Sequence, residues 1–196
     1  MSSAADAAGR EFWKMRYPAA ETAEKHAKIL EAASRMFRDR GFSDVSVAEI
    51  MKATGLTHGP FYNHFSSKQA LMAEAIRHAS MQTFEGLEKV EPSEEGKAAY
   101  RAEYLSTMHR DNKADGCLIA ALASEIGREP SVRAAVATHI KALIEKMASK
   151  FPWPTKRDAR GDAIRMLASM LGAVIMARAV DDDVLSQEIL REAARQ

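Results

Sequence analysis

The chain of 196 residues has a single cysteine, Cys117. That excludes an internal disulfide and a four-thiolate metal site, so packing alone must hold the fold. No apolar run approaches the roughly 20 residues needed to cross a bilayer. The opening stretch MSSAADAAGREFWKM lacks the basic start and apolar segment of an export signal. The expected compartment is therefore a reducing cytoplasm, with no membrane association. Strand-like alternation, internal repeats and low-complexity tracts are also missing. Charge of one sign is scarce as well. The net charge of +1 is too small to attract nucleic acid in bulk, and residues 1–80 hold 11 Lys and Arg against 9 Asp and Glu. Any grip on phosphate must come from local placement.

What is present is helical periodicity. A first helix is predicted over Ala20 to Arg40, with Ile29, Leu30, Ala33, Met36 and Phe37 forming one apolar stripe. Gly41 ends it in the manner of a left-handed cap, and Phe42 folds back over the end. Ser46 and Glu49 have capping-box spacing ahead of a second helix from Val47 to Thr54. Gly55 stops that helix and Leu56 plugs the core. Thr57 is expected to cap a third helix, with Pro60 in its first turn. Two short helices joined by a Gly-containing turn make a helix-turn-helix. Ser66 and Gln69 repeat the capping-box spacing, so a fourth helix is predicted from about Ser67. Breaks at EPSEEG, DNKADG, REP, FPWP, RGD and VDDD predict further helices at 93–110, 115–128, 130–150, 157–179 and 183–195.

The stretch THGPFYNHFSSK, Thr57 to Lys68, concentrates the chemistry. Phe61 and Phe65 are four apart and share the inner face of a short helix, while His58, Tyr62 and Asn63 point elsewhere. Such polar groups suit groove edges and phosphate oxygens. From Ile29 to Ala75 the segments ILEAASRMFRDRGF and VSVAEIMKATGLTHGPFYNHFSSKQALMAEA resemble the TetR family of bacterial transcriptional regulators. The resemblance implies an all-α fold divided into a flexible arm (1–19), a helix-turn-helix DNA-binding domain of three helices (20–66) and a larger helical ligand-binding and dimerisation domain (67–196). It also implies a homodimer whose two recognition helices enter successive major grooves of a palindromic operator. By position, Thr57, Tyr62, His64 and Lys68 match phosphate-holding residues. His58, Gly59, Pro60 and Asn63 lie where bases are approached, and Ser46 adds a backbone contact. Packing within the domain is the competing reading for His64 and Tyr62. The cations Arg10, Lys14 and Arg16 are either an arm on DNA or a solvated tail. The chain departs from the family where Lys25, His26 and Lys28 stand in place of an arginine before Ile29.

In the body, Tyr100, Tyr104 and Met108 are spaced by four. Together with Met81, Phe84, Cys117 and Trp153 they are the candidate lining of an effector cavity, ordinary core packing being the alternative. GCLIAALASE, which contains Cys117, resembles a subgroup of the family in which a cysteine follows this glycine and some members sense electrophiles. An inert buried thiol is the competing reading. The last two helices are dense in apolar residues and, by the resemblance, pair with those of a second copy. Asp181, Asp182 and Asp183 read as a solvated turn that caps the last helix. No cofactor or metal is expected. The function implied is a ligand-responsive regulator, most simply a repressor released by a small molecule. The alternatives are a DNA-binding architectural protein without effector response and a thiol-dependent enzyme using Cys117 with His109 as base.

Overall fold

The computed structural model describes residues 19–57 and 59–195, and the side chains from Glu21 onward. His58, the segment 1–18 with Arg10, Lys14 and Arg16, and Gln196 lie outside the described residues. Every regular element among the described residues is helical. None is long and apolar enough to cross a membrane.

Helix α1 (Ala19–Arg40) buries Ile29, Ala33 and Phe37, its apolar stripe. Gly41 ends it with φ +89°, and a Cβ there would collide with the Glu125 carboxylate. That carboxylate accepts the amides of Phe42 at 2.8 Å and Ser43 at 3.0 Å, satisfying donors the helix end leaves over. Helix α2 (Val47–Ala53) starts in a complete capping box: the Glu49 amide donates to Ser46 Oγ, and the Ser46 amide to Glu49 Oε2 at 2.9 Å. The Ser46 bonds, joined by Arg40, hold the Glu49 carboxyl down at about 2.

Helix α3 (Phe61–His64) is a single turn. Pro60, not Thr57, is its N-cap, and it makes no side-chain capping bond. Its fixed φ of −65° already suits a helix start and its missing amide is no loss. Helix α4 (Lys68–Glu88) is capped by Ser67, whose Oγ accepts the Ala70 amide at 3.1 Å. The cap is thus one residue beyond the predicted Ser66, because Ser67 has the extended backbone that aims its hydroxyl at the first turn. Phe61 and Phe65 are buried, and join Ile29, Phe37, Ile50 and Leu71 in one core. Each such side chain contributes about 1.5–3 kcal/mol on burial.

The predicted helix 93–110 is two helices, α5 (Glu94–Tyr104) and α6 (Thr107–Asp111). The break comes at Leu105, because Ser106 turns extended and caps α6 by accepting the His109 amide at 3.1 Å. Helix α7 (Leu118–Ile126) follows, then a 3-10 turn (Pro130–Val132) running into α8 (Arg133–Lys150). Helices α9 (Ala159–Ala179) and α10 (Asp183–Ala194) close the body, and Asp182 caps α10 by accepting the Leu185 amide. The body holds two further clusters, one around Met147, Phe151 and Leu167 and one around Met170, Val174 and Leu190.

The first core does not stop at residue 66. Leu71, Met72, Ala75 and Ile76 of α4 belong to it, as do Leu118 and Leu122 of α7 and Val132 and Val136 around the start of α8. Helix α7 is tied to the head at both ends. In its last turn is the Glu125 clamp. Before its N-terminal end, Asp115 pairs with Arg35 and the Gly116 carbonyl accepts from Arg38, a guanidinium only 4% exposed.

Candidate nucleic-acid interface

Helices α2 and α3 are joined by a turn in which Gly55 has φ +73°. Leu56 packs against the core beneath, and Phe61 and Phe65 anchor α3 from below with ring centroids 5.7 Å apart. With its inner face so committed, α3 presents Tyr62 (66% exposed) and Asn63 outward. Thr57 and Gly59 are exposed in the preceding turn, and nothing lies within 4 Å of where a Gly59 Cβ would be. Of the nine residues expected at DNA, Ser46, Thr57, Gly59, Tyr62 and Asn63 are exposed, and Pro60, His64 and Lys68 are half-buried. His58 lies outside the described residues.

Three of these side chains are already engaged. Lys68 Nζ donates to the Phe42 carbonyl at 2.5 Å, so the ammonium also ties the start of α4 to the loop after α1. With three donors it retains capacity for an anion. His64 sits 5.8 Å from the His26 ring, and His26 stacks on Phe65 at 4.5 Å while pairing with Glu74 at 3.2 Å. Partial burial, then His26 and Lys25, push the His64 imidazole below its ordinary range. The Ser46 amide and hydroxyl are both committed to Glu49. At the family's departure point, Lys28 pairs with Glu24 and Lys25 with Glu21 along the same helix.

Of the proposed effector lining, Phe84, Tyr100 and Trp153 pack against one body cluster, and Tyr100, Tyr104 and Cys117 against the other. Met81 and Met108 are 56% and 79% exposed. Met108 leaves the face of Tyr100 and Tyr104 because the break at Leu105 resets the helical register. Phe84 stacks on the buried His139, and Tyr100 packs against Phe151 at 5.8 Å. Tyr104 lies against His109, ring centroids 4.3 Å apart, and burial, then the Cys117 thiol, push its phenol well above the ordinary value. Trp153 borders a cleft of about 410 Å³ between α5, α9 and α10.

Cys117 is the N-cap of α7, and its backbone amide, not its thiol, meets His109: N–H donates to Nε2 at 3.1 Å. The other ring nitrogen, Nδ1, donates to the Tyr104 carbonyl at 2.6 Å. Burial is the main reason that the imidazole lies below its ordinary pKa, with Arg178 adding to it and the Tyr104 bond opposing. A ring with both nitrogens spent on backbone cannot act as base for the thiol. No group of three or more His, Cys, Asp or Glu among the described residues could hold a metal.

Sequence reasoning missed Arg35, Arg38 and Glu125, which join head to body, and Arg178, which ties the body together. Arg178 donates to the carbonyls of His109 at 3.0 Å and Arg110 at 2.8 Å, linking α9 to the end of α6. A glycine followed by apolar helices signals nothing about such pairs, which join residues about 70–80 positions apart.

Residues 29–75 match the family model described as bacterial regulatory proteins, tetR family. Over 53 residues the chain is 45% identical to the uncharacterized HTH-type transcriptional regulator YdgC of Bacillus subtilis, covering 27% of each chain. It is 33% identical over 57 residues to the HTH-type transcriptional repressor KstR2 of Mycolicibacterium smegmatis, covering 29% of this chain and 28% of that one. The match thus spans just over a quarter of these relatives' length. The fold extends further: a TetR-family regulator from Agrobacterium tumefaciens superimposes with a TM-score of 0.70 at 23% identity, over 88% of this chain and 97% of that one. The helix-turn-helix region thus matches the family model of the tetR bacterial regulatory proteins, and the helical body follows the same fold as that solved structure.

Proposed function

We propose that this chain is a transcriptional regulator, most simply a repressor, that binds an inverted repeat in double-stranded DNA as a homodimer in the cytoplasm and is released by a small molecule. The observation that carries the reading is the division of α3: Phe61 and Phe65 are spent on the core, while Tyr62 and Asn63 are exposed on the outer side. Thr57, Tyr62, His64 and Lys68 grip phosphate, and Gly59, Pro60 and Asn63 with His58 approach bases. Because Ser46 is spent on its capping box, a phosphate there falls to the amides that follow it. Among the described residues, Ile164, Ile175, Met176, Val184 and Leu185 are large, apolar and exposed on α9 and α10, which supports pairing through these helices. Two such heads must stand about 34–36 Å apart to reach successive grooves. The test is selection of bound fragments from random DNA followed by footprinting. An inverted repeat protected on both half-sites is expected, and scattered protection without a repeat favours an architectural protein instead.

The His64 environment makes a second prediction. A phosphate beside the ring favours its protonated form, so the pKa rises from its depressed free value on binding. Affinity then grows as pH falls through the bound pKa and levels off below the free one, by about tenfold per unit of difference at each site. Fluorescence anisotropy at fixed ionic strength should show this gain, and His64→Gln should remove it. An identical pH slope in the variant would place His64 away from phosphate.

A further inference from the structure

The cleft beside Trp153 has an unbalanced charge. Its walls carry three cations, Lys97, Arg101 and Arg165, and two carboxylates, Glu94 and Asp162. Lys97 is fully occupied: its ammonium pairs with Glu94 at 2.8 Å, donates to the Pro152 carbonyl at 2.6 Å and lies 4.7 Å from the centre of the Trp153 ring. Arg165 pairs with Asp162. Arg101 is left. Its guanidinium makes no hydrogen bond or ion pair among the described residues, and its Nε is buried without a partner. A buried donor without a partner carries a standing desolvation cost that an incoming acceptor removes.

We infer that this cleft between α5, the Trp153 turn, α9 and α10 binds a small amphipathic monocarboxylate, with Arg101 as its counter-ion. The charge count selects a monoanion, because the two acidic residues neutralise two of the three cations and leave one. A guanidinium fork accepts a carboxylate in bidentate fashion. Apart from Ser169, the rest of the wall is apolar, and Met166 and Met170 from α9 make it adaptable. A cleft of about 410 Å³ is near the small end of ligand sites, so the occupant is a short or single-ring acid rather than a long lipid. The indole is held in place by its own bond from Nε1 to the Met147 carbonyl at 3.3 Å, which leaves the wall preformed. This assignment rests on the effector-responsive reading above, and names the class of effector for it.

Calorimetry on the full-length protein without DNA reads the cleft directly, using 1-naphthoate and its uncharged analogue 1-naphthamide as probes. The wild type should bind the carboxylate at least about tenfold more tightly than the amide, as expected for one charge-assisted contact. Arg101→Met should erase that preference and leave amide binding within about twofold, whereas Arg101→Lys should keep part of it. Equal affinity for the two probes, no detectable naphthoate binding to the wild type, or a preference that survives Arg101→Met would each overturn the assignment. Far-ultraviolet dichroism of each variant confirms the fold, and the lysine variant tests the charge even where methionine disturbs it. Fragment selection on the same preparation, with no probe added, reports separately on the DNA-binding reading. DNA binding without carboxylate preference removes only this inference, and the converse removes only that reading.

Discussion

Replacing Phe61 with alanine is expected to abolish specific DNA binding while leaving the proposed dimer intact. Helix α3 is four residues long, far below the length at which a helix holds itself together in water. Its shape is imposed by two rings beneath it. Phe61 is 1% exposed, and its ring contacts Tyr62 edge-on at 5.1 Å as well as Phe65. Truncating a buried phenylalanine costs about 3–5 kcal/mol, more than one turn of helix can recover. Tyr62 and Asn63 then lose their common orientation, and with it go the proposed phosphate contact of Tyr62 and the proposed base contact of Asn63, the latter worth about 1–3 kcal/mol. Anisotropy on the selected operator reads the loss, and sedimentation reads the dimer. A variant that binds operator within about tenfold of wild type would show that α3 is not held from below.

Ile175→Glu should give the second large effect, by a different route. Helix α9 has two faces in use: Ala163, Leu167, Met170 and Val174 look into the body, while Asp162, Arg165 and Met166 border the cleft. Its third face, with Ile164, Ala168 and Ile175, is exposed. A carboxylate on that stripe faces its own copy across a two-fold contact and must be desolvated twice. The variant should sediment as a monomer. With only one head per molecule the second half-site no longer binds intramolecularly, so operator affinity should fall by about 10²–10⁴. The Ile175 side chain is not in the body core, so the thermal transition of the monomer itself should remain cooperative. A dimer that survives the substitution would move the interface elsewhere.

Local chemistry was the legible part of this chain. Gly41 and Gly55 adopt positive φ because each stops a helix, and a helix stop is written within a few residues. The Ser46–Glu49 box and the inward Phe61–Phe65 pair are equally local. The errors lie where several nearby residues could do the same job. Thr57 and Pro60 could both open α3, and Ser66 and Ser67 could both open α4; backbone geometry chose between them. Met108 parts from Tyr100 and Tyr104 for a related reason. A spacing of four from Tyr100 to Met108 describes one face only if the helix is continuous, and Ser106 interrupts it. What no pattern could reveal was long-range polar pairing. Lys68 looks free for phosphate until the Phe42 carbonyl is brought beside it, and Arg101 looks like one more surface cation until its neighbours are seen to be paired with each other.

The ties at the two ends of α7 have a consequence for how any signal must travel. Arg35 with Asp115, Arg38 with the Gly116 carbonyl, and Glu125 with the amides of Phe42 and Ser43 fasten the head at separated points along a helix. A body attached at one point can swivel; attached at both ends of a rod it can only follow the rod. A tilt of α7 would therefore be felt by the head at both places. Such a linkage is driven as readily from either end. Whatever factor a body-bound molecule takes from operator affinity, a bound operator must take from that molecule's affinity in turn.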